Sequence, residues 1–255
     1  METDPLTLEP RPAPTEPARP RRSLLRRLFR WIFRAAASFA ILSVALVMLY
    51  GIVPPPITVF MINSVLAGEG LDRRWRSIDA MSPDLVRAAI AAEDARFCLH
   101  GGFDWASIRK AWDRMQSGGR QLRGGSTISM QTAKNVFLWP ARSWTRKGFE
   151  AYFTVLIELF WTKRRIMEVY LNVAEFGPGV FGAESASQDF FGKPASELTR
   201  REAALLAAVL PNPREWSAAK PGPYVRERAG MLQRRLLDVP EAGAAVCPAK
   251  PAAGG

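Results

Sequence analysis

The sequence predicts a mainly α-helical domain preceded by one N-terminal transmembrane helix. Three observations lead there: an uncharged apolar run at Ala35–Val53, apolar positions recurring at three- and four-residue spacing through most of the chain beyond it, and no strand-rich segment. With 255 residues, 48% of them hydrophobic, the chain can bury one sizeable core, and the roughly 200 residues after the run suit a single domain. The expected organisation is a disordered basic leader over 1–34, a membrane span over 35–53, a domain over 54–239 and a flexible tail over 240–255.

Ala35–Val53 comprises 19 residues, which at ~1.5 Å each give ~28 Å, the thickness of a bilayer core. Arginines crowd its N-terminal flank, Pro54-Pro55-Pro56 lies just beyond it, and Trp31 and Tyr50 stand where interfacial aromatics belong. The positive flank is expected in the cytoplasm, which turns the domain after Pro56 outward. A long charged leader and the lack of a small-x-small site soon after the run argue against a cleaved signal. Pro, Glu and Arg dominate residues 1–20, and Ala, Gly and Pro the end of the chain, so both are expected to be disordered.

The formal net charge is +11, but residues 1–34 hold eight Arg against four acidic residues, leaving +7 for the rest. Much of the basic excess is therefore juxtamembrane. The remainder suits an anionic lipid surface or substrate, and no zinc, basic-zipper or RNA-binding motif accompanies it, so nucleic acid is not an expected partner. Cys98 and Cys247 are expected to stay unpaired, one lying inside a motif and the other in the tail.

Ser82-Pro83-Asp84 predicts a helix start with a side-chain cap, and the helix is expected to run to about Cys98. On it Leu85, Ala89, Glu93 and Phe97 share one side, so Glu93 falls on the core-facing stripe. Partial burial would raise its pKa toward that of a general acid or base, and pairing with a cation is the alternative. Gly124-Gly125 predicts a turn, with Ser126 or Thr127 capping a helix to about Leu138. There Thr127, Gln131 and Lys134 share a polar face, and Met130, Ala133 and Phe137 an apolar one. The amides at that helix start, with Lys134 two turns on, suit an anion.

Arg142, Arg146 and Lys147 come next, and a helix from about Thr145 places Glu150 one turn after Arg146, a pair that is surface decoration if exposed. Phe153, Leu156, Ile157 and Phe160 predict a core-facing stripe. A break at Thr162–Arg165 precedes a helix to Leu171, Asn172 leads into a Gly-rich loop at 176–182, and a short helix from about Gly182 ends at Gly192. Thr199-Arg200-Arg201-Glu202 is a capping box, its helix stops at Pro211, and a last helix spans Pro223–Leu237. The single histidine, His100, leaves no His-dependent triad or metal cluster to expect.

Taken together, Glu93-Asp94-x-x-Phe97-x-x-His100-x-Gly102-x-Asp104, Gly124-Gly125-Ser126-Thr127 with Gln131 and Lys134-Asn135, Arg146-Lys147-x-x-Glu150 and Tyr170-Leu171-Asn172 resemble the biosynthetic peptidoglycan glycosyltransferases of family 51, in particular the monofunctional membrane-anchored form. The resemblance spans Met81–Pro213 and departs at Met130, where the family usually has a glutamine. It implies a lysozyme-like fold that polymerises lipid II into glycan strands at a cell inner membrane, with the catalytic domain periplasmic. It assigns Glu93 as general base on the acceptor hydroxyl. Lys134, Arg142, Arg146 and Lys147 would stabilise the departing diphosphate, and Glu150 would organise those cations. Asp94, Phe97, His100, Ser126, Thr127, Gln131 and Asn135 would shape the cleft, and Trp105–Arg123 matches a segment near the lipid surface. It requires no cofactor, leaves room for a divalent cation such as Mg at the diphosphate, and adds cell-wall synthesis or division proteins as further partners.

Two alternatives stand beside this reading. A lysozyme-like enzyme that cleaves peptidoglycan would share the fold and a glutamate but leave the cations idle, and a non-enzymatic membrane scaffold would tolerate loss of Glu93.

Overall fold

The computed structural model describes residues 22–116, 125–236 and 246–247; the expectations placed on residues 1–20, on the end of the Trp105–Arg123 segment, on Gly124, and on most of the tail lie outside them. The chain divides into two units, 1–43 and 44–255. Helix α1 (Arg22–Ile52) has already begun within the first. It starts at Arg22 rather than Ala35, which corrects the expected disorder of the leader over 22–34. Leu and Arg are strong helix formers, and this stretch is rich in both without a Gly or Pro. The segment Leu24–Ile52 is long and apolar enough to cross a membrane, with a mean hydropathy of 2.2 over its most apolar window.

The second unit opens with the last turns of α1. There the Trp161 indole N–H donates to the Val47 carbonyl at 2.7 Å, and Arg165 donates to the carbonyls of Tyr50 and Val53, each at 2.9 Å. A guanidinium thus occupies carbonyls that a helix C-terminus leaves unpaired. Beyond α1 come α2 (Val59–Leu66), α3 (Pro83–Glu93), α4 (Trp105–Gln116), α5 (Ile128–Phe137), α6 (Trp144–Phe160), α7 (Lys163–Val173), α8 (Ala183–Phe191), α9 (Arg200–Val209) and α10 (Pro223–Arg235). Helices α3, α9 and α10 pack as one group, and α5, α6 and α7 as another. Buried Leu85, Phe97, Ile128, Ile157, Ile166, Tyr170 and Leu206 belong to one continuous core.

Most helix ends fall where the sequence places them. Thr127, Ser143 and Thr162 cap α5, α6 and α7, the Thr199/Glu202 capping box opens α9, and Gly192 closes α8 in the left-handed conformation. A three-stranded sheet was not foreseen: β1 (Asp72–Arg73), β2 (Glu175–Gly177) and β3 (Val180–Phe181), in the order β1-β3-β2. Strands of two or three residues are too short to show a period of two. The β2–β3 turn lies so close to the end of α2 that a Cβ on Gly179 (φ +75°) would stand 2.2 Å from the Glu69 carbonyl oxygen.

Four expectations are corrected. Ser82 does not cap α3; its buried hydroxyl donates to the Leu198 carbonyl at 3.0 Å instead. Helix α3 ends at Glu93, not near Cys98, because Asp94 turns out of the helix (φ −159°, ψ 72°) to place its carboxylate against other elements. Phe160 is 43% exposed, since the α6 core face is carried by Phe153 and Ile157. Cys98 and Cys247 form a disulfide. Val246 explains that pairing, for it is buried in the core and brings its neighbour beside Cys98.

Candidate active site

Glu93 is the last residue of α3 and sits against α5 and α10. Its side chain is 12% exposed; one oxygen accepts a 2.8 Å hydrogen bond from the Gln131 amide, and the Arg228 guanidinium stands 3.7 Å from the other. Burial raises its pKa, while Gln131, Arg228 and Lys134 pull the other way and Asp94 adds to the rise. A carboxylate in this state has reason to take a proton.

The next residue, Asp94, holds the site together. Its buried carboxylate meets Nε2 of His100 at 2.9 Å and accepts the backbone N–H of Ile128, the first residue of α5, at 3.1 Å. The N-cap Thr127 accepts the N–H of Met130 and donates to the Gly102 carbonyl at 2.6 Å. The helix start expected to receive a ligand anion therefore gives these amides to Asp94 and Thr127. Gly102 (φ +91°) permits the approach, since a Cβ there would lie 2.8 Å from Thr154. Phe97 is wholly buried, with the Lys163 ammonium 4.5 Å from its ring centre. Asp94, Phe97, His100 and Thr127 thus act as framework behind the cleft.

Glu150 ends up buried, not decorative: its side chain is 4% exposed, pairs with Arg146 at 2.6 Å and also takes the Lys147 ammonium. Lys134 extends from α5 between the two glutamates, its ammonium 5.6 Å from the Phe60 ring centre. Burial lowers its pKa, Arg146 and Lys147 push the same way, and Glu150 and Glu93 oppose them. Arg142 is exposed on the loop before α6.

Four adjoining cavities surround α5 and share walls. One of about 300 Å³ contains Glu93, Asp94, Ser126 and Thr127, and one of about 520 Å³ is lined by Ser126, Arg142, Arg146 and Lys147. Another of about 370 Å³ joins Lys134, Arg142 and Arg146, and the fourth, of about 190 Å³, joins Gln131, Lys134 and Asn135 to Tyr170 and Glu175. Met130 is buried as expected, yet it also lines the largest of these. Glu93, Asp94, Ser126, Thr127, Gln131, Lys134, Asn135, Arg142, Arg146 and Lys147 line these cavities, whereas Phe97, His100 and Glu150 line none of them; Arg228, Arg235, Glu175 and Arg214 were missed. They lie on α10, on a very short strand and in a loop, where no local pattern marks them. Among the described residues no three Asp, Glu, His or Cys side chains converge as a metal site. Glu150 is already committed to two cations, so these residues do not fit a resident divalent ion.

The fold and site define a helical domain able to withdraw a proton at one end of a cleft and neutralise a developing anion at the other. The chain belongs to the transglycosylase family, whose model matches residues 61–237. It is 54% identical over 231 residues to the biosynthetic peptidoglycan transglycosylase of Rhodospirillum centenum, covering 90% of this chain and 100% of that one. It is 50% identical over 226 residues to the protein of the same name from Caulobacter vibrioides, covering 89% and 97%. The Xanthomonas axonopodis protein so named is 52% identical over 225 residues, covering 86% and 90%.

Proposed function

We propose that this protein is a membrane-anchored peptidoglycan glycosyltransferase that polymerises lipid II into glycan strands. Glu93 removes the proton from the 4-hydroxyl of the acceptor's N-acetylglucosamine as that oxygen attacks C1 of the N-acetylmuramic acid at the end of the growing strand. The C1–O bond to the diphosphate breaks with inversion, and undecaprenyl diphosphate leaves carrying the bonding electrons. Lys134, Arg142, Arg146 and Lys147 meet the charge that develops on its oxygens, preorganised by Glu150.

The observation that carries this reading is the contrast between Glu93, largely buried with one amide and a guanidinium no closer than 3.7 Å, and Glu150, held directly by two cations. An enzyme that only cleaves glycosidic bonds would have no anionic leaving group for those cations. Helix α1 anchors the protein in the inner membrane with its N-terminus cytoplasmic and the domain periplasmic. The Cys98–Cys247 disulfide supports the oxidising side. Incubation of the purified full chain with labelled lipid II is expected to yield polymer and free undecaprenyl diphosphate. Absence of polymer, or full activity in Glu93→Gln, overturns the reading.

A further inference from the structure

The Cys98–Cys247 disulfide takes no part in the chemistry above, yet it joins positions 149 residues apart and ends inside the site's first motif. Cys98 stands in the single turn Phe97–Leu99, between Glu93 and the His100 that meets the Asp94 carboxylate. Phe97 is wholly buried there, whereas Cys98 and Leu99 are exposed. At the other end Val246 lies in the core, and Cys247 packs against that core partly buried. Cys247 is also, among the described residues, the one non-glycine residue with a positive φ, +68°. A cysteine in that region is strained, and the strain persists only while its surroundings hold it there.

A disulfide that ends in an exposed residue is open to attack by a thiolate, and exposed or strained disulfides are the labile ones. What this one crosslinks is part of the site: the turn brings His100 to Asp94, and Asp94 follows Glu93 and accepts the first amide of α5. Resting on the glycan-polymerising reading, we propose that Cys98 and Cys247 are positioning residues whose disulfide makes the activity depend on redox state. Closed, the bond holds the turn behind Glu93; opened, it slackens that turn without unfolding the domain. Opening is a thiol–disulfide exchange with a dithiol protein of the thioredoxin class. One thiolate of that protein attacks a sulfur of the pair to form a mixed disulfide, its second thiol resolves it, and the protein leaves oxidised; two electrons and two protons pass to Cys98 and Cys247. The bonds of Asp94 to His100 and Ile128 and the burial of Phe97 outlast the exchange, so the site is loosened rather than dismantled. Small displacements suffice to slow the reaction, because the base must meet its proton in near-attack geometry.

The test uses the full chain in detergent with labelled lipid II, at a temperature where both redox states are folded by near-ultraviolet circular dichroism. Reduced thioredoxin is expected to open the bond without denaturant, read as mass tags on both cysteines, and the chain has no others. Then kcat should fall about three- to tenfold with KM little changed, and oxidised glutathione should restore it. The double variant Cys98→Ser with Cys247→Ser should match the reduced enzyme and ignore reductant. A bond that only stabilises would lower the unfolding temperature and leave kcat alone. Unchanged kcat after full reduction, a bond that stays closed without denaturant, or a double variant that still responds to reductant overturns the proposal. Absence of polymer from the oxidised enzyme overturns the glycan-polymerising reading and the proposal with it, whereas equal polymer in both states overturns the proposal alone.

Discussion

Glu93, 12% exposed, and Glu150, 4% exposed, both lie largely out of solvent and both act on Lys134, yet their surroundings differ in kind. Glu93 has one neutral amide at hydrogen-bond distance and a guanidinium only at 3.7 Å, whereas Glu150 touches two cations directly. Burial alone therefore does not set a carboxylate's role; what decides is whether its charge is compensated. A weakly compensated one is held ready to take a proton, and a fully compensated one becomes a fixed counterion that shapes the cations around it.

The comparison is broken most severely at Glu93. Glu93→Gln should lower kcat about 10²–10⁴-fold, the range of a positioned general base. Because burial raises the Glu93 pKa above 4.5, the folded state holds that proton more tightly than the unfolded chain does. The charged form therefore costs stability above the folded pKa, and the cost fades as pH falls through it toward 4.5. Glu93→Gln should accordingly be at least as stable as wild type at neutral pH, with the gap closing on acidification in denaturant titrations. A variant both inactive and markedly less stable would mean that Glu93 is mainly structural.

Glu150→Gln should fail in the opposite manner. It leaves Arg146 and Lys147 without their counterion, and breaking such a pair costs roughly 3–5 kcal/mol, toward the lower end here because Lys147 is partly open to solvent. Equilibrium unfolding measures this directly, and a neutral result would return Glu150 to surface decoration. Loss of the disulfide in Cys247→Ser is expected to cost about 2–4 kcal/mol, seen as earlier unfolding that reductant reproduces in the wild type.

The smallest effect sharpens the comparison from the side of pH. Activity should follow a bell whose acid limb lies above 4.5, where Glu93 becomes a base, and whose alkaline limb lies below 10.5, where Lys134 loses its proton. Arg228 and Lys134 both favour the ionised Glu93, so Arg228→Met should move the acid limb upward. A limb that stays in place would remove Arg228 from the electrostatics of the base.

Helical phase made much of this legible in advance. It put Glu93 on a core-facing stripe and separated Gln131 and Lys134 from Met130 and Ala133, while local cap signals marked the start of α5, the end of α8 and the start of α9. It failed where a side chain answers to distant partners. Asp94 leaves α3 because His100 and the start of α5 claim its carboxylate, and Ser82 gives up its cap for Leu198. Glu175 and Arg228 carry no local signature at all, for they come to the site only through the tertiary fold, Glu175 from β2 into the cavity with Lys134 and Arg228 from α10 packed on α3. The fate of Cys247 turned on one apolar neighbour, Val246, within a stretch whose composition reads as a tail.

The bonds from Thr127 to Gly102 and from Asp94 to Ile128 close a neck: the chain departs at Gly102 and returns beside it at Thr127. Everything threaded between, α4 included, is an excursion whose ends are fastened independently of its length. Lengthening a closed excursion costs little, about 0.6 kcal/mol per doubling. Glu93, Gln131 and Lys134 thus keep their register through bonds made at the neck, whatever the length of the segment that carries α4.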